Sequence, residues 1–249
     1  MKQFLSMVPL EFLKLRGTSL LLAGIITGIG SIALSLYLAV ADRTTEYTFL
    51  IFTENVISNN MSLFFPFTAA LIVGQMMERE RVSSALNNIF VIPVSFRKLL
   101  SVKIAAGVYV AVSYSVIQWI LSVFTCLLLR LPGITASSAF LRLGIMMGMN
   151  LCIYIAILPV IVLAAQYANG YMAGVGFSVF YGFCSIFAAG LGLTALYPIS
   201  AGTVLLRFNG SYTSNEVVNA VLSLSLMLIL AIALLITSYN RTEGLSGRL

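Results

Sequence analysis

Residues 143–206 read LGIMMGMNLCIYIAILPVIVLAAQYANGYMAGVGFSVFYGFCSIFAAGLGLTALYPISAGTVLL and contain no aspartate, glutamate, lysine or arginine. A helix that spans a bilayer needs about 20 mainly apolar residues. The stretch is therefore long enough for three spans, or for two spans and a hairpin that enters the bilayer and returns. Its main polar interruption is Gln166, Asn169 and Gly170, which predicts one span over 143–165 and another over 172–189.

The whole chain shares this apolar composition. Of its 249 residues, 60% are hydrophobic and only 9% are charged, whereas soluble domains average about 25% charged residues. We therefore predict an all-α integral membrane protein that forms a single domain over residues 1–249. The other apolar runs predict spans over 19–41, from 56 or 61 to 77, over 104–129 and over 217–236.

Several classes of function are excluded by residues that the chain lacks. It has no histidine, which removes Ser-His-Asp hydrolysis and His-ligated metal sites. Its three cysteines are far apart in apolar runs, so they form no metal-binding or redox motif. No GxxxxGK[ST] loop is present, so the chain is expected to bind neither ATP nor another cofactor by itself. The net charge of +6 is not gathered into one patch, which argues against nucleic acid as a partner.

The segment 190–206 decides between six and seven spans. Three glycines and a proline weaken a continuous helix there: Gly190, Gly192, Pro198 and Gly202. A hairpin leaves six spans and a helix makes seven.

The distribution of basic residues favours six spans. With that number, most of the 14 lysines and arginines lie on the side of both termini, and four lie on the other side: Arg43, Arg130, Arg142 and Arg207. Positive residues concentrate in cytoplasmic loops. We therefore predict that both termini are cytoplasmic and that 190–206 is a re-entrant hairpin on the outer side.

The N-terminal segment 1–17 alternates apolar and charged residues. Its apolar side chains fall near one face of a helix, whereas charged residues, Glu11 and Lys14 among them, lie elsewhere. This pattern is typical of a helix that lies in the headgroup layer. We predict such an interfacial helix, with Glu11, Lys14 and Arg16 among its charged residues.

The connection between the second and third spans is longer than a simple link requires. Residues 78–98 read ERERVSSALNNIFVIPVSFRK, with six charged residues and apolar residues at helical spacing. A short amphipathic helix parallel to the membrane, ended by Pro93, fits this pattern. Its polar face would be open to a cytosolic partner. The alternative is a charged loop that sets topology and binds nothing.

This connection resembles the cytoplasmic signature of ABC-2 type transporter permeases. Glu80 stands thirteen residues before Pro93, Ser95-Phe96-Arg97 follows, and Lys103 enters the next span. The family's Gly-Thr after the glutamate is here Ser84-Ala85. The six-span count, the N-terminal interfacial helix and the hairpin before the last span are also similar to the family.

The resemblance implies a permease that is not itself an enzyme. A separate ABC ATPase, which carries ATP and Mg, is expected to dock on 78–98 and on the interfacial helix, and a second permease, identical or homologous, is expected to complete the assembly. The residues expected to contact the ATPase are Glu78, Arg79, Glu80, Arg81, Asn87, Asn88, Pro93, Arg97 and Lys98.

The opening Pro9-Leu10-Glu11-Phe12-Leu13-Lys14 is similar to subunits of lantibiotic and bacitracin self-resistance exporters. This likeness implies an exporter in the bacterial cytoplasmic membrane that removes membrane-active peptide antibiotics and so gives resistance or bacteriocin immunity. Two alternatives stay open. One is an ABC-2 permease for another amphiphile, such as a lipid, polysaccharide or drug, and the other is a non-transporting membrane interaction or immunity protein.

Few polar groups lie inside the predicted spans. Gln118 and Asn150 are candidates for lining a substrate path, or for hydrogen bonds to a neighbouring helix. No charged residue lies deep in a predicted span, which argues against a proton- or ion-coupled transporter. It also predicts that the substrate is bound by apolar surface. Gly24–Gly28 and Gly144–Gly148 match GxxxG, for which helix packing within the subunit is expected.

Overall fold

The computed structural model describes residues 19–41, 47–82, 96–167 and 169–246, and in this part of the chain it is all helical. Six helices are long and apolar enough to cross a membrane. This confirms the prediction of an all-α fold with six helices of sufficient length and hydropathy to span a membrane. The interfacial helix predicted over 1–17 and the residues 83–95 of the predicted coupling helix lie outside the described residues.

The described residues contain eight α-helices. They are α1 (Ser19–Ala41), α2 (Phe49–Asn59), α3 (Phe65–Val82), α4 (Phe96–Leu128), α5 (Ala136–Ala164), α6 (Gly170–Gly190), α7 (Ala201–Leu205) and α8 (Ser214–Ser246). A π-helical turn, Asn60–Phe64, joins α2 to α3 within one span, Phe49–Arg79. We call the end of the bundle where α3 ends and α4 begins the basic end, and the other the opposite end.

The second span begins earlier than the sequence analysis predicts, at Phe49 instead of Val56 or Met61. Thr48 caps the start of α2, since its side chain accepts a hydrogen bond from the Ile51 backbone N–H. Polar residues such as Glu54 and Asn59 make this stretch read as a loop. In the fold both side chains have partners on other helices, so the helix continues through them.

Two reciprocal caps start α5 and α8 at the opposite end. Thr135 and Ser138 each accept a hydrogen bond from the other's backbone N–H. In the same way, the Glu216 carboxylate accepts from the Thr213 N–H and the Thr213 hydroxyl accepts from the Glu216 N–H. Such capping boxes satisfy N–H groups that a helix start leaves without intrahelical partners. They define where the two spans begin.

α5 is at the centre of the bundle. In its most apolar 18-residue stretch, 61% of residues are buried, against 17% in α8 and 28% in α1. The main core cluster joins α5 to α3 and α4 through large apolar residues that include Phe65, Val73, Ile153 and Ile157. Because α5 contacts helices on several sides, its buried polar residues Arg142 and Asn150 face protein rather than lipid.

Candidate functional site

At the opposite end, an ion pair joins α2 to α5. Arg142 Nη2 lies 2.8 Å from Glu54 Oε1, and the Arg142 guanidinium lies 5.8 Å from the ring centroid of Phe208, which follows α7. The whole Arg142 residue is 7% exposed. This pair, in which Arg142 is buried and the Glu54 side chain is 32% exposed, connects α2 and α5 and lies against the ring of Phe208, so it restrains three segments at once.

This pair lies within the first two turns of α2 and α5, at positions that the sequence analysis placed just before its predicted spans. Both of its members lie within helices long enough to cross a membrane, and so does Lys103, which is 3% exposed on α4. The sequence analysis began these three spans too late and therefore read the charges as loop residues. The two charges of the pair neutralise each other, so the pair does not by itself indicate an ion-coupled transporter.

Near the middle of the bundle, four buried side chains form the interior amide cluster, which consists of Asn60, Tyr114, Ser115 and Asn150. The Asn60 side-chain N–H donates to Asn150 Oδ1 at 3.2 Å, and the Tyr114 hydroxyl donates to Asn60 Oδ1 at 2.9 Å. The Asn150 amide donates to Ser115 Oγ at 2.8 Å. The cluster thus ties the π-helical turn to α4 and α5.

Sequence reasoning singled out only Asn150 of this cluster and missed Tyr114, Ser115 and, most notably, Asn60. Asn60 lies in the π-helical turn, and such single-turn insertions in α-helices are frequently found at functional sites. The one signal in the sequence was the adjacent polar pair Asn59-Asn60 shortly before Pro66. An apolar-run analysis read that pair as the edge of a span.

Gln118 lies one turn further along α4 and differs from Asn150. The residue is fully buried, yet neither its Nε2 nor its Oε1 has a hydrogen-bond partner among the described residues. The amide oxygen faces Gly28 of α1, where a Cβ would lie 3.1 Å away. Of the two amides predicted for a substrate path, one is therefore satisfied by protein and the other is not.

At the basic end, the last turn of α3 is tied to the turn that precedes α6. Glu78 Oε1 accepts a hydrogen bond from the Asn169 backbone N–H at 3.1 Å. Asn169 has a left-handed backbone with φ of 57°, which is a conformation that asparagine tolerates well. One turn inside the bundle, Tyr171 packs closely against Gly74. The end of α3 and the start of α6 are thus joined at two levels.

The other residues predicted to contact an ATPase lie around this tie. Arg79 is exposed. Glu80 and Arg81 belong to the last turn of α3, and Arg97 and Lys98 to the first turn of α4, but the structure describes only their backbone. Asn87, Asn88 and Pro93 lie outside the described residues, as do Glu11, Lys14 and Arg16.

The segment 190–206 contains no helix long enough to span. It consists of turns and the five-residue helix α7, which packs against the middle of α5, where a Cβ at Gly202 would lie 3.0 Å from the Cβ of Cys152. The Tyr197 hydroxyl donates to the Tyr181 carbonyl of α6, and the Ser223 hydroxyl of α8 donates to the Leu196 carbonyl. Its turns and α7 are therefore held by α5, α6 and α8.

An apolar cavity of about 350 Å³ lies between the basic ends of α5 and α6. Val160, Leu163, Tyr167 and Phe177 are among its lining residues, and neither Gln118 nor Asn150 reaches it. It therefore offers apolar surface but no buried amide.

Comparison with known proteins identifies the architecture. The family model described as ABC-2 family transporter protein matches residues 7–185, which is well over half of the chain. The matched range contains α1 to α5 and most of α6, including the residues on both sides of 83–95. No curated protein matches the chain.

Proposed function

The chain belongs to the ABC-2 family of transporter membrane proteins, and from that premise we propose that it serves an exporter that removes membrane-active peptide antibiotics from the bilayer. It is a multi-pass transport subunit of an ABC transporter and lacks the ATPase domain, so an ATPase partner supplies the energy. We assign the exporter to the bacterial cytoplasmic membrane, with both termini in the cytoplasm. A second permease completes the transport path, and ATP and Mg bind on the ATPase.

The tie between Glu78 and Asn169 is the observation that carries the coupling proposal. The ATPase docks on residues 78–98, assisted by the N-terminal interfacial helix. Movement of that segment is passed directly to α3 and, through the Glu78 carboxylate and the Gly74–Tyr171 contact, to α6. Charged contacts at such a surface give strong, oriented hydrogen bonds.

The peptide proposal is supported by the chemistry of the interior. Lys103 and Arg142 are the buried charged residues of the described chain, and the other buried polar side chains are neutral hydroxyls and amides. Neutral groups of this kind suit a substrate with peptide bonds and apolar side chains better than a strongly charged solute. The re-entrant placement of 190–206 is supported by its contacts with the middle of α5.

The ATPase assignment is tested by copurification. The double variant Glu80→Gln/Arg81→Gln is expected to weaken retention of the ATPase by about tenfold or more, because charged contacts at a desolvated interface are lost. Arg241→Gln, a basic residue predicted on the same side but outside 78–98, is the matched control. Equal retention of the ATPase in the double variant and in the control would show that the docking segment is assigned wrongly.

The substrate assignment needs a separate test. Deletion of the transporter genes is expected to lower the inhibitory concentration of bacitracin or of a lantibiotic, and the wild-type chain should restore it. Unchanged inhibitory concentrations, together with a copurifying ATPase, would contradict the peptide proposal and favour an ABC-2 permease for another amphiphile. Failure to copurify any ATPase would instead favour the non-transporting role.

A further inference from the structure

The face of α1 that packs on the bundle is made of small and polar residues. Its buried positions are Gly24, Gly28, Ser31, Ile32 and Ser35, and Ile32 is the large apolar side chain among them. By contrast, Leu22, Ile26 and Ile29 on the same helix are more than half exposed. Because lipid tails are as apolar as these side chains, no hydrophobic force holds helices together, and contact depends on packing and hydrogen bonds.

The hydrogen bonds between α1 and its neighbours are few and neutral. Thr68 of α3 donates to Thr27 at 2.7 Å, and the Asn59 amide donates to Ser35 at 3.0 Å. The Ser31 hydroxyl reaches the Val56 carbonyl at 3.4 Å, close to the limit for a hydrogen bond. Such contacts hold α1 against the bundle weakly and can be exchanged for others.

Gln118 supplies an independent observation at the contact between α1 and α4. A fully buried amide that has lost water and gained no partner is unfavourable, and native structures rarely keep one without a reason. Its oxygen is directed at Gly28 of α1, where a Cβ would lie 3.1 Å from it. The amide is therefore covered by α1, and within the part of the chain that the structure describes its donors and its acceptor have no partner.

We propose that α1 moves away from α4 during transport and that the Gln118 side chain then binds a peptide-type amide of an amphiphile entering from the bilayer. An amide both donates and accepts, so two amides satisfy each other. Asn150 cannot serve in the same way while Asn60 and Ser115 occupy it. The proposal rests on the exporter function and adds to it a place of entry and the chemistry of recognition.

Movement of α1 is tested without any substrate. Cys126, Cys152 and Cys184 are replaced by alanine, and spin labels are attached at Tyr37→Cys on α1 and Phe124→Cys on α4, two exposed positions. The permease–ATPase complex in nanodiscs is measured without nucleotide and after trapping with ATP and vanadate. The label distance is expected to change by about 5 Å or more, one helical turn.

The matched control pair is Phe124→Cys with Leu141→Cys, which joins α4 to the central helix α5. Its distance is expected to change by no more than about 2 Å, the size of ordinary helix shifts. If the α1 distance changes no more than this control, α1 does not open. A copurifying ATPase in the same sample shows that such a failure concerns this inference and leaves the exporter function standing.

Recognition by the amide is tested with a defined probe. N-dodecanoyl-glycinamide is titrated into the complex in nanodiscs by calorimetry, with methyl dodecanoate as the probe without an amide. Gln118→Leu is expected to weaken glycinamide binding by about tenfold and to leave the ester unchanged, and Gln118→Asn should restore part of the binding. Ser122→Ala, on the same face of α4, is expected to bind like wild type.

Equal binding of the glycinamide by wild type and Gln118→Leu would overturn the recognition step, even where the labels show that α1 moves. An equal loss for the ester would do the same, because it would point to a general distortion of the complex. Lost glycinamide binding with retained ester binding supports the proposal.

Discussion

α1 and α5 belong to the same bundle but bury different kinds of side chain in it. α5 packs large side chains inward, with Met146, Ile153 and Tyr154 nearly fully buried, whereas α1 buries glycines, serines and a single isoleucine and leaves its other isoleucines exposed. Both helices are apolar enough to span a membrane, and in a bilayer no hydrophobic force between helices holds either of them in place. What differs is the packing, which fixes α5 at the centre and leaves α1 attached by small contacts.

The largest effect is expected where α4 packs on α5. Any Cβ at Gly107 would collide with the Tyr154 hydroxyl, which donates to the Ile104 carbonyl at 2.8 Å. Gly107→Val should therefore destabilise the subunit by about 4 kcal/mol or more, read as a lost or strongly lowered melting temperature in detergent. Gly176→Val, where a Cβ meets no atom within 4 Å, is the control. Equal melting temperatures for the two variants would mean that this α4–α5 contact is not tight.

The next effect concerns the ion pair between α2 and α5. Arg142→Met leaves the Glu54 carboxylate without its partner and should cost about 3 kcal/mol, the lower end for a broken buried pair, because the Glu54 side chain is 32% exposed. Adding Glu54→Gln should recover part of that loss, which a double-mutant cycle on the melting temperature measures. The exposed Arg207→Met is the control. An additive cycle would show that the two residues are not coupled.

A smaller effect is expected in the interior amide cluster. Asn150→Leu removes the bonds to Asn60 and Ser115 and should cost about 1.5 kcal/mol, near the upper end for polar contacts between membrane helices. The Ser122 hydroxyl bonds a carbonyl of its own helix, so Ser122→Ala should cost much less. A lower melting temperature for Ser122→Ala than for Asn150→Leu would contradict the assigned role of the cluster.

The number of spans was predictable because long apolar runs and basic residues are local signals. The starts of the spans were less so, because Glu54 and Arg142 look like loop residues until each is seen to satisfy the other. The resemblance seen at Glu80 and Pro93 identified the family correctly. The resemblance could not predict the hydrogen bond between Glu78 and Asn169, because the two residues are distant in sequence.

Sequence alone also treated Gln118 and Asn150 alike, as polar residues inside spans. Their environments depend on what the neighbouring helices present: Asn150 meets Asn60 and Ser115, whereas Gln118 meets Gly28. Of the glycines in the two GxxxG motifs, Gly24 and Gly28 pack against other helices of the subunit, and Gly148 packs against Leu206. A Cβ added at Gly144 would meet no atom within 4 Å. A motif predicts that helices can approach closely, and tertiary structure decides which of its positions are used.

The smallest expected effect is a gain in stability, and it tests the contact between α1 and α4 most directly. Gln118→Leu replaces an unpaired buried amide by an apolar group of similar size, so it should stabilise the resting subunit by about 1 kcal/mol. Gln166→Leu is the matched control, because the Gln166 amide donates to the Leu234 carbonyl at 3.3 Å and loses that bond. The melting temperature should rise for the first variant and fall for the second. A lower melting temperature for both variants would mean that Gln118 already has a partner in the resting state. The contact between α1 and α4 would then offer no unpaired amide to a ligand.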